Sequence, residues 1–209
     1  MANINYSLYL VSDRSLLGGR DLLQEIMKAV KGGVGVVQLR EKDASSREFY
    51  NLAVALKGEL EGTGVPLIIN DRLDIALAVN ADGLHIGQDD LPFPVARRLL
   101  GADKLIGLSV SSRTEAEAGA RQGADYLGVG PLFATPTKPD AAMPTGINLL
   151  TELKKHISIP LVAIGGINLN NIAAIRESGA DGVAVVSALM GSDDIEVAAR
   201  RIVAKWQAS

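Results

Sequence analysis

The run Leu8-Tyr9-Leu10-Val11-Ser12-Asp13-Arg14 decides between two architectures. Its first four residues form a short apolar, strand-forming stretch, and the chain then turns polar at once. An open, doubly wound sheet usually carries G-x-G-x-x-G after its first strand. No such fingerprint follows Val11. Outward from this point, short β-branched runs alternate with longer helical patterns to the end of the chain. Strands are predicted over Leu8–Val11, Val34–Leu39, Leu67–Asn70, Gly83–Ile86, Leu105–Ser109, Tyr126–Val129, Leu161–Ile164 and Val183–Val186. Helices are predicted over Asp21–Lys31, Ser46–Leu60, Leu73–Val79, Val95–Leu100, Thr114–Gln122, Leu149–Lys155, Leu169–Ser178 and Ile195–Gln207. This strict alternation of eight strands with eight helices predicts an α/β chain folded as one (β/α)8 TIM barrel, a single domain over residues 1–209. That length lies near the lower limit for a barrel.

Local punctuation agrees. Ser45 and Glu48 are spaced for a capping box. Gly32-Gly33 and Gly179 follow helical patterns, as C-cap glycines do. Pro66 and Pro160 fall at strand starts, where a missing N–H is tolerated. Ala81-Asp82-Gly83-Leu84, Ala124-Asp125-Tyr126-Leu127 and Ala180-Asp181-Gly182-Val183 repeat one turn before strands four, six and eight. The repeat fits a barrel assembled from βαβα units. Its plainer reading is a favourable αβ loop, and either reading puts it on the face away from the catalytic loops.

Composition narrows the function. The chain is 47% hydrophobic but only 4% aromatic, which suits aliphatic packing of helices on a parallel sheet. Net charge is −3 with both signs interspersed, so no basic footprint for nucleic acid or a membrane surface is present. Without cysteine there is no disulfide, thiolate nucleophile or cysteine metal site. The N-terminus has no signal-peptide pattern, and no window reaches the roughly 18 apolar residues of a membrane span. A cytoplasmic location is the expectation.

In a barrel, the chemistry sits where strand C-termini meet the βα loops. Gln38, Arg40 and Lys42 share one parity at the end of strand two and should point into the barrel mouth, while Val37 and Leu39 face the helices. Two inward cations need an anion, and a phosphate or pyrophosphate that Arg grips bidentately would serve. The competing reading is an internal salt bridge to a carboxylate such as Asp71. Strand three ends in Asn70-Asp71, and strand four leads into Gln88-Asp89-Asp90. Acids at adjacent strand ends can share Mg²⁺, which takes one or two protein carboxylates and completes its shell with water and substrate phosphate; helix caps are the alternative. His85, within strand four, is expected to be a satisfied core histidine, and His156 a surface or C-cap residue. Ser109 is placed to donate to a phosphate, and Ser112 to cap the next helix. The long irregular segment 131–145 carries Thr135, Thr137 and Lys138, two hydroxyls and a cation suited to a phosphate-gripping lid; an unstructured surface loop is the alternative. Gly165-Gly166 after strand seven and Ser187 after strand eight match a common barrel phosphate site, where a short helix could start at Ser187.

Together these segments resemble the thiamin phosphate synthase family over almost the whole chain. The resemblance is carried by Gln-Leu-Arg-Glu-Lys (38–42), Ile-Asn-Asp (69–71), His-Ile-Gly-Gln-Asp-Asp (85–90), Gly-Leu-Ser (107–109), Gly-Pro-Leu-Phe (130–133), Thr-Pro-Thr-Lys (135–138), Ile-Gly-Gly-Ile (164–167) and Val-Ser (186–187). It implies joining 4-amino-5-hydroxymethyl-2-methylpyrimidine diphosphate to a carboxylated thiazole phosphate, with release of pyrophosphate and CO₂, through a pyrimidine cation. It implies that Gln38, Arg40, Lys42, Asn70, Ser109 and Lys138, with Leu39 and Glu41 in the same run, hold the pyrimidine diphosphate. Catalytic roles fall on Arg40, Lys42, Ser109 and Lys138. Thr135, Pro136, Thr137, Gly166, Val186 and Ser187 hold the thiazole phosphate. Asp71 and Asp90 hold Mg²⁺, with Asp89 standing where relatives often have Glu, so that a swap between the two acids stays open. The partners implied are these small molecules, with no nucleic acid and no membrane; a homo-oligomer is compatible. No protein nucleophile is needed, in keeping with the lack of cysteine and of a triad. The rivals are a thiazole tautomerase of the same family, whose loop after strand six carries His where this chain has Gly130-Pro131, and a non-catalytic barrel binding a phosphorylated ligand.

Overall fold

The computed structural model describes residues 4–135 and 143–208. Its strands are β1 (Leu8–Val11), β2 (Val36–Leu39), β3 (Leu67–Asn70), β4 (Gly83–Ile86), β5 (Leu105–Val110), β6 (Tyr126–Val129), β7 (Leu161–Ile164) and β8 (Gly182–Val185). They pair in chain order, all parallel, and β8 closes on β1 with Leu10 opposite Val185. Around them lie α1 (Leu22–Lys31), α2 (Ser46–Leu60), α3 (Leu73–Ala78), α4 (Phe93–Leu100), α5 (Arg113–Gln122), α6 (Ile147–Leu153), α7 (Ile172–Glu177), α8 (Ser187–Met190) and α9 (Ile195–Gln207). The expected barrel is therefore the observed one. Among the described residues, no helix is long and apolar enough to cross a membrane.

Side-chain alternation splits the core in two. Leu8, Leu10, Val37, Leu39, Leu67 and Ile69 point outward and join the helices in one large cluster. Tyr9, Val11, Val36, Ile68, Tyr126 and Ala184 point inward and fill the barrel. A parallel sheet covered on both faces makes the short strands mostly apolar, with Gln38, Asn70, His85 and Ser109 as polar exceptions. Three of the four tyrosines lie inside: Tyr6 and Tyr9 pack on Tyr126, with ring centroids 5.2 and 5.7 Å from it. Gly107 makes room for them, since a Cβ there would overlap the Tyr126 ring.

The repeated Asp turn has a specific job. Asp82 accepts from the Leu67 N–H at 2.8 Å, Asp125 from Ile106 at 2.7 Å, and Asp181 from Leu161 at 2.8 Å. Each acid ties the entry of an even strand to the start of the odd strand before it, at the N-terminal end of the barrel. Asp125 also pairs with Arg97, which donates to the Lys104 carbonyl at 2.6 Å. Asp125→Ala strips the Ile106 N–H of its side-chain acceptor and leaves Arg97 without its carboxylate partner, with only backbone carbonyls to bind. It is expected to lower stability by about 2–3 kcal/mol in urea denaturation; a loss below about 0.5 kcal/mol would contradict this role.

The capping box at Ser45–Glu48 is present. Boundaries moved where turn chemistry intervened. Asn168 and Asn171 bond each other's backbone in a turn, so α7 starts at Ile172 rather than Leu169. Pro92 and Pro94 are tolerated in a first turn, so α4 starts at Phe93, two residues before the expected Val95. A 3-10 helix at Arg14–Leu17 was not expected, whereas α8 begins at Ser187, where a short helix was expected to start.

Candidate active site

The strand parity of β2 holds. Gln38 is buried inside the barrel, and its Nε2 donates to Tyr9 Oη at 2.8 Å. Leu39 is fully buried in the helix-facing core, which leaves only its backbone for any ligand. Arg40 follows at the mouth. Its N–H donates to Ser12 Oγ at 2.9 Å, and its guanidinium lies 3.5 Å from Asp13. The carboxylate beside Arg40 is thus Asp13 of the β1 loop, not the suggested Asp71, and the pair is long. Glu41 is engaged 3.3 Å away by Arg14 of that loop. Burial pushes its carboxyl above the usual range despite Arg14. Sequence reasoning missed Ser12, Asp13 and Arg14 as neighbours of the site. Their signal was the polar turn that follows Val11.

Asn70 and Asp71 end β3. Asp71 sits at φ 60°, a left-handed conformation that Asp tolerates better than most residues. Its N–H donates to the His85 carbonyl at 2.8 Å, which fixes the turn to β4. From there its carboxyl meets that of Asp90, whose Oδ2 accepts from the Gly87 N–H at 2.6 Å. Partial burial, and then the Asp90 charge, raise the Asp71 carboxyl to about 6, while Asn70 and the nearby Lys42 pull it down. Two acids held together against their repulsion form a place for a hard cation. Asp89 is exposed next to this pair. No cluster of three or more His, Cys, Asp or Glu metal ligands occurs among the described residues. Two carboxylates are the protein share that a Mg²⁺ ion would need, the rest of its shell coming from water and substrate phosphate.

Ser109 lies near the end of β5, and its Oγ is 2.8 Å from His85 Nε2. His85 Nδ1 is 3.0 Å from Tyr126 Oη, and Tyr126 Oη is 2.7 Å from Tyr9 Oη. Both histidine nitrogens are satisfied, as expected of a core histidine. Ser112 caps α5 through the Glu115 N–H, so the two serines have separate tasks. His156 is exposed.

On the far side, the segment after β6 is closed at its base. Thr145 N donates to the Pro131 carbonyl at 2.8 Å and Gly146 N to Leu132 at 3.1 Å. Thr135 is half-buried at its start; Pro136, Thr137 and Lys138 lie outside the described residues. Gly166 has φ 64°, and a Cβ there would stand 2.7 Å from Phe133 Cβ, so glycine lets β7 meet this segment closely. Val186 packs at the inner core, and α8 follows it. The earliest N–H groups to bond within α8 are those of Leu189 and Met190, to the Val186 carbonyl. The N–H groups of Ser187 and Ala188 precede them at the start of this four-residue helix. Arg20 holds the other end of α8 by donating to the Met190 carbonyl at 2.9 Å, and is itself set by buried Glu25 at 2.8 Å. Arg20 was not expected to matter; its contact with Met190 joins distant parts of the chain.

The comparisons with known proteins follow the same outline. The family model described as thiamine monophosphate synthase matches residues 8–189. A thiamine-phosphate synthase of Syntrophomonas wolfei is 65% identical over 99% of both chains. One from Desulfitobacterium hafniense is 51% identical over 98% of this chain and 99% of its own. The solved thiamine phosphate pyrophosphorylase of Pyrococcus furiosus superposes with a TM-score of 0.89 at 34% identity, covering 98% of this chain and 97% of its own. A 3-hexulose-6-phosphate synthase superposes at 0.70 with 17% identity, which is a likeness of fold alone. With a match from the first barrel strand to α8, and relatives aligned end to end, the chain belongs to the thiamine monophosphate synthase family.

Proposed function

We propose that this chain joins 4-amino-5-hydroxymethyl-2-methylpyrimidine diphosphate to a carboxylated thiazole phosphate, giving thiamin phosphate, pyrophosphate and CO₂. The observation that carries the reading is one barrel mouth in which Lys42, two residues beyond Arg40 at the end of β2, stands near Asp71, itself paired with Asp90. Cations and a carboxylate pair side by side suit a diphosphate together with its divalent cation. In this reading Asp71 and Asp90 hold Mg²⁺, which when bound acts as a Lewis acid on the diphosphate oxygens.

Gln38, Asn70 and Ser109 line the same end of the barrel and orient the pyrimidine diphosphate. The bond from its methylene carbon to the diphosphate oxygen breaks, and the electron pair leaves with pyrophosphate. Arg40, Lys42, Ser109 and Lys138 stabilise that charge. The amino-pyrimidine stabilises the cation left behind, and the thiazole nitrogen supplies the electron pair of the new C–N bond. Gly166, Val186 and Ser187, with Thr135, Pro136 and Thr137, hold the thiazole phosphate so that this nitrogen faces the methylene carbon. Loss of CO₂ from the thiazole and protonation of the same carbon complete the balance. No covalent link to the protein is needed.

The test is an assay with the two purified substrates, following pyrophosphate and thiamin phosphate. Release of both in equal amounts with Mg²⁺, and loss of turnover on chelation, is expected. Turnover that survives chelation unchanged removes the metal from the reading, and no condensation with Mg²⁺ present removes the activity.

A further inference from the structure

A single hydrogen-bonded row crosses the inside of the barrel. It runs Gln38 Nε2 to Tyr9 Oη (2.8 Å), Tyr9 Oη to Tyr126 Oη (2.7 Å), Tyr126 Oη to His85 Nδ1 (3.0 Å) and His85 Nε2 to Ser109 Oγ (2.8 Å). Its two ends are residues placed above on the diphosphate. Its middle three have no part in that reaction. Tyr9 and Tyr126 are 1% exposed, so bulk water has no access to complete their bonding.

Counting hydrogens sets the direction of the row. A phenol has one hydrogen, and a neutral imidazole donates from one nitrogen and accepts at the other. The Gln38 amide nitrogen only donates, so Tyr9 accepts there and must give its own hydrogen to Tyr126. Tyr126 then accepts from Tyr9 and gives its hydrogen to His85 Nδ1. The ring hydrogen of His85 is therefore on Nε2 and goes to Ser109. Ser109 Oγ accepts it, and its own hydroxyl hydrogen is left for the barrel mouth. The row runs the other way only with the Gln38 amide turned to present Oε1 to Tyr9, and Ser109 would then spend its hydrogen on His85.

We propose that Tyr9, Tyr126 and His85 are positioning residues, which carry the polarity of the Gln38 amide across the barrel so that Ser109 presents a hydrogen-bond donor to an anionic oxygen of the substrate. The part played by Ser109 rests on the proposed function; the direction of the row does not. Burial of this row keeps the phenols neutral: desolvation raises the pKa of Tyr9 and of Tyr126 far above the ordinary value.

The decisive measurement is the tautomer of His85 in the full chain without substrates. Nitrogen-15 NMR at a pH of about 8.5, where an ordinary imidazole is neutral, reads it directly. His156→Gln assigns the two histidines. The Nε2–H form is expected. The Nδ1–H form, an even mixture or a doubly protonated ring would overturn the proposal. Tyr126→Phe is the second arm. It should lose the Nε2–H preference and lower kcat for pyrophosphate release about tenfold, with KM changed less than about twofold. Tyr50→Phe, on an exposed helix face, should change neither. A Tyr126→Phe protein that keeps a pure Nε2–H ring and full turnover would also overturn it. If that variant does not fold, the wild-type tautomer still decides. Failure of the proposed function would look different: no condensation by the wild-type chain, whatever the tautomer.

Discussion

Arg40→Ala is expected to lower turnover roughly 10²–10³-fold, the scale of removing one preorganised charge stabiliser from a transition state. The stabilised charge is that of the departing pyrophosphate, which grows as the C–O bond lengthens. The loss should therefore appear in kcat and in kcat/KM for the pyrimidine diphosphate, with little change in KM for the thiazole phosphate. Stability should barely move. The Arg40–Asp13 ion pair is 3.5 Å long, and Asp13 keeps its bonds to the Ser15 N–H and hydroxyl at 3.1 and 2.6 Å. The bond from the Arg40 N–H to Ser12 belongs to the backbone and survives the substitution. A change below about 1 kcal/mol in thermal or urea unfolding is expected. Arg40→Lys keeps the charge but not the planar fork, and should recover only part of the rate. Near-normal turnover in Arg40→Ala would sink the assignment of β2 to the diphosphate.

Asp71→Asn is expected to lower turnover about 100-fold or more at fixed Mg²⁺, with partial recovery as Mg²⁺ is raised, because one of two carboxylate ligands is gone. The backbone should tolerate the change, since asparagine accepts the left-handed φ of 60° as readily as aspartate. The metal-free fold should be as stable or more so. The Asp71 carboxyl is raised in the fold, from 3.8 to about 6, so its ionisation opposes folding at neutral pH. Removing the charge relieves that opposition above about pH 6, and the benefit fades toward pH 3.8, where the acid is protonated in both states. Unfolding curves at pH 7.5 and pH 4 check the sign. Unchanged activity with an unchanged Mg²⁺ requirement would remove Asp71 as a ligand.

Much of the site was readable because a barrel turns sequence position into location. A polar residue at the end of an apolar strand must lie at the mouth, and strand parity then says whether it faces in. That logic placed Gln38 inside and Leu39 outside, and put Asp71 and Asp90 on neighbouring strand ends. It also put Ser187 at the start of α8. It failed for contacts that depend on loop paths. Asp71 was offered as a carboxylate for the cations of β2 because all sit at strand ends; Lys42 lies near it, but for Arg40 the β1 loop brings Asp13. Arg20 holds α8 from 170 residues away, a separation with no local signature. The repeated Asp turn was visible in sequence, but its reason, an acceptor for an N–H at the start of the preceding strand, needed the register of the sheet.

The sequence by itself determined the alternation of strands and helices, the closed parallel barrel they make, and the set of charged residues at its mouth. These follow from hydrophobic period, turn chemistry and strand parity, all of which act over a few residues. Only the tertiary structure decided who bonds whom. His85 read as a core histidine and is one. Closing the barrel also joins it to Ser109 on one side and, through Tyr126 and Tyr9, to Gln38 on the other. That row needs five strands brought side by side or across the interior, and in a buried space each phenol must give its one hydrogen to a definite neighbour. Its direction is a property of the packed barrel that no stretch of sequence carries.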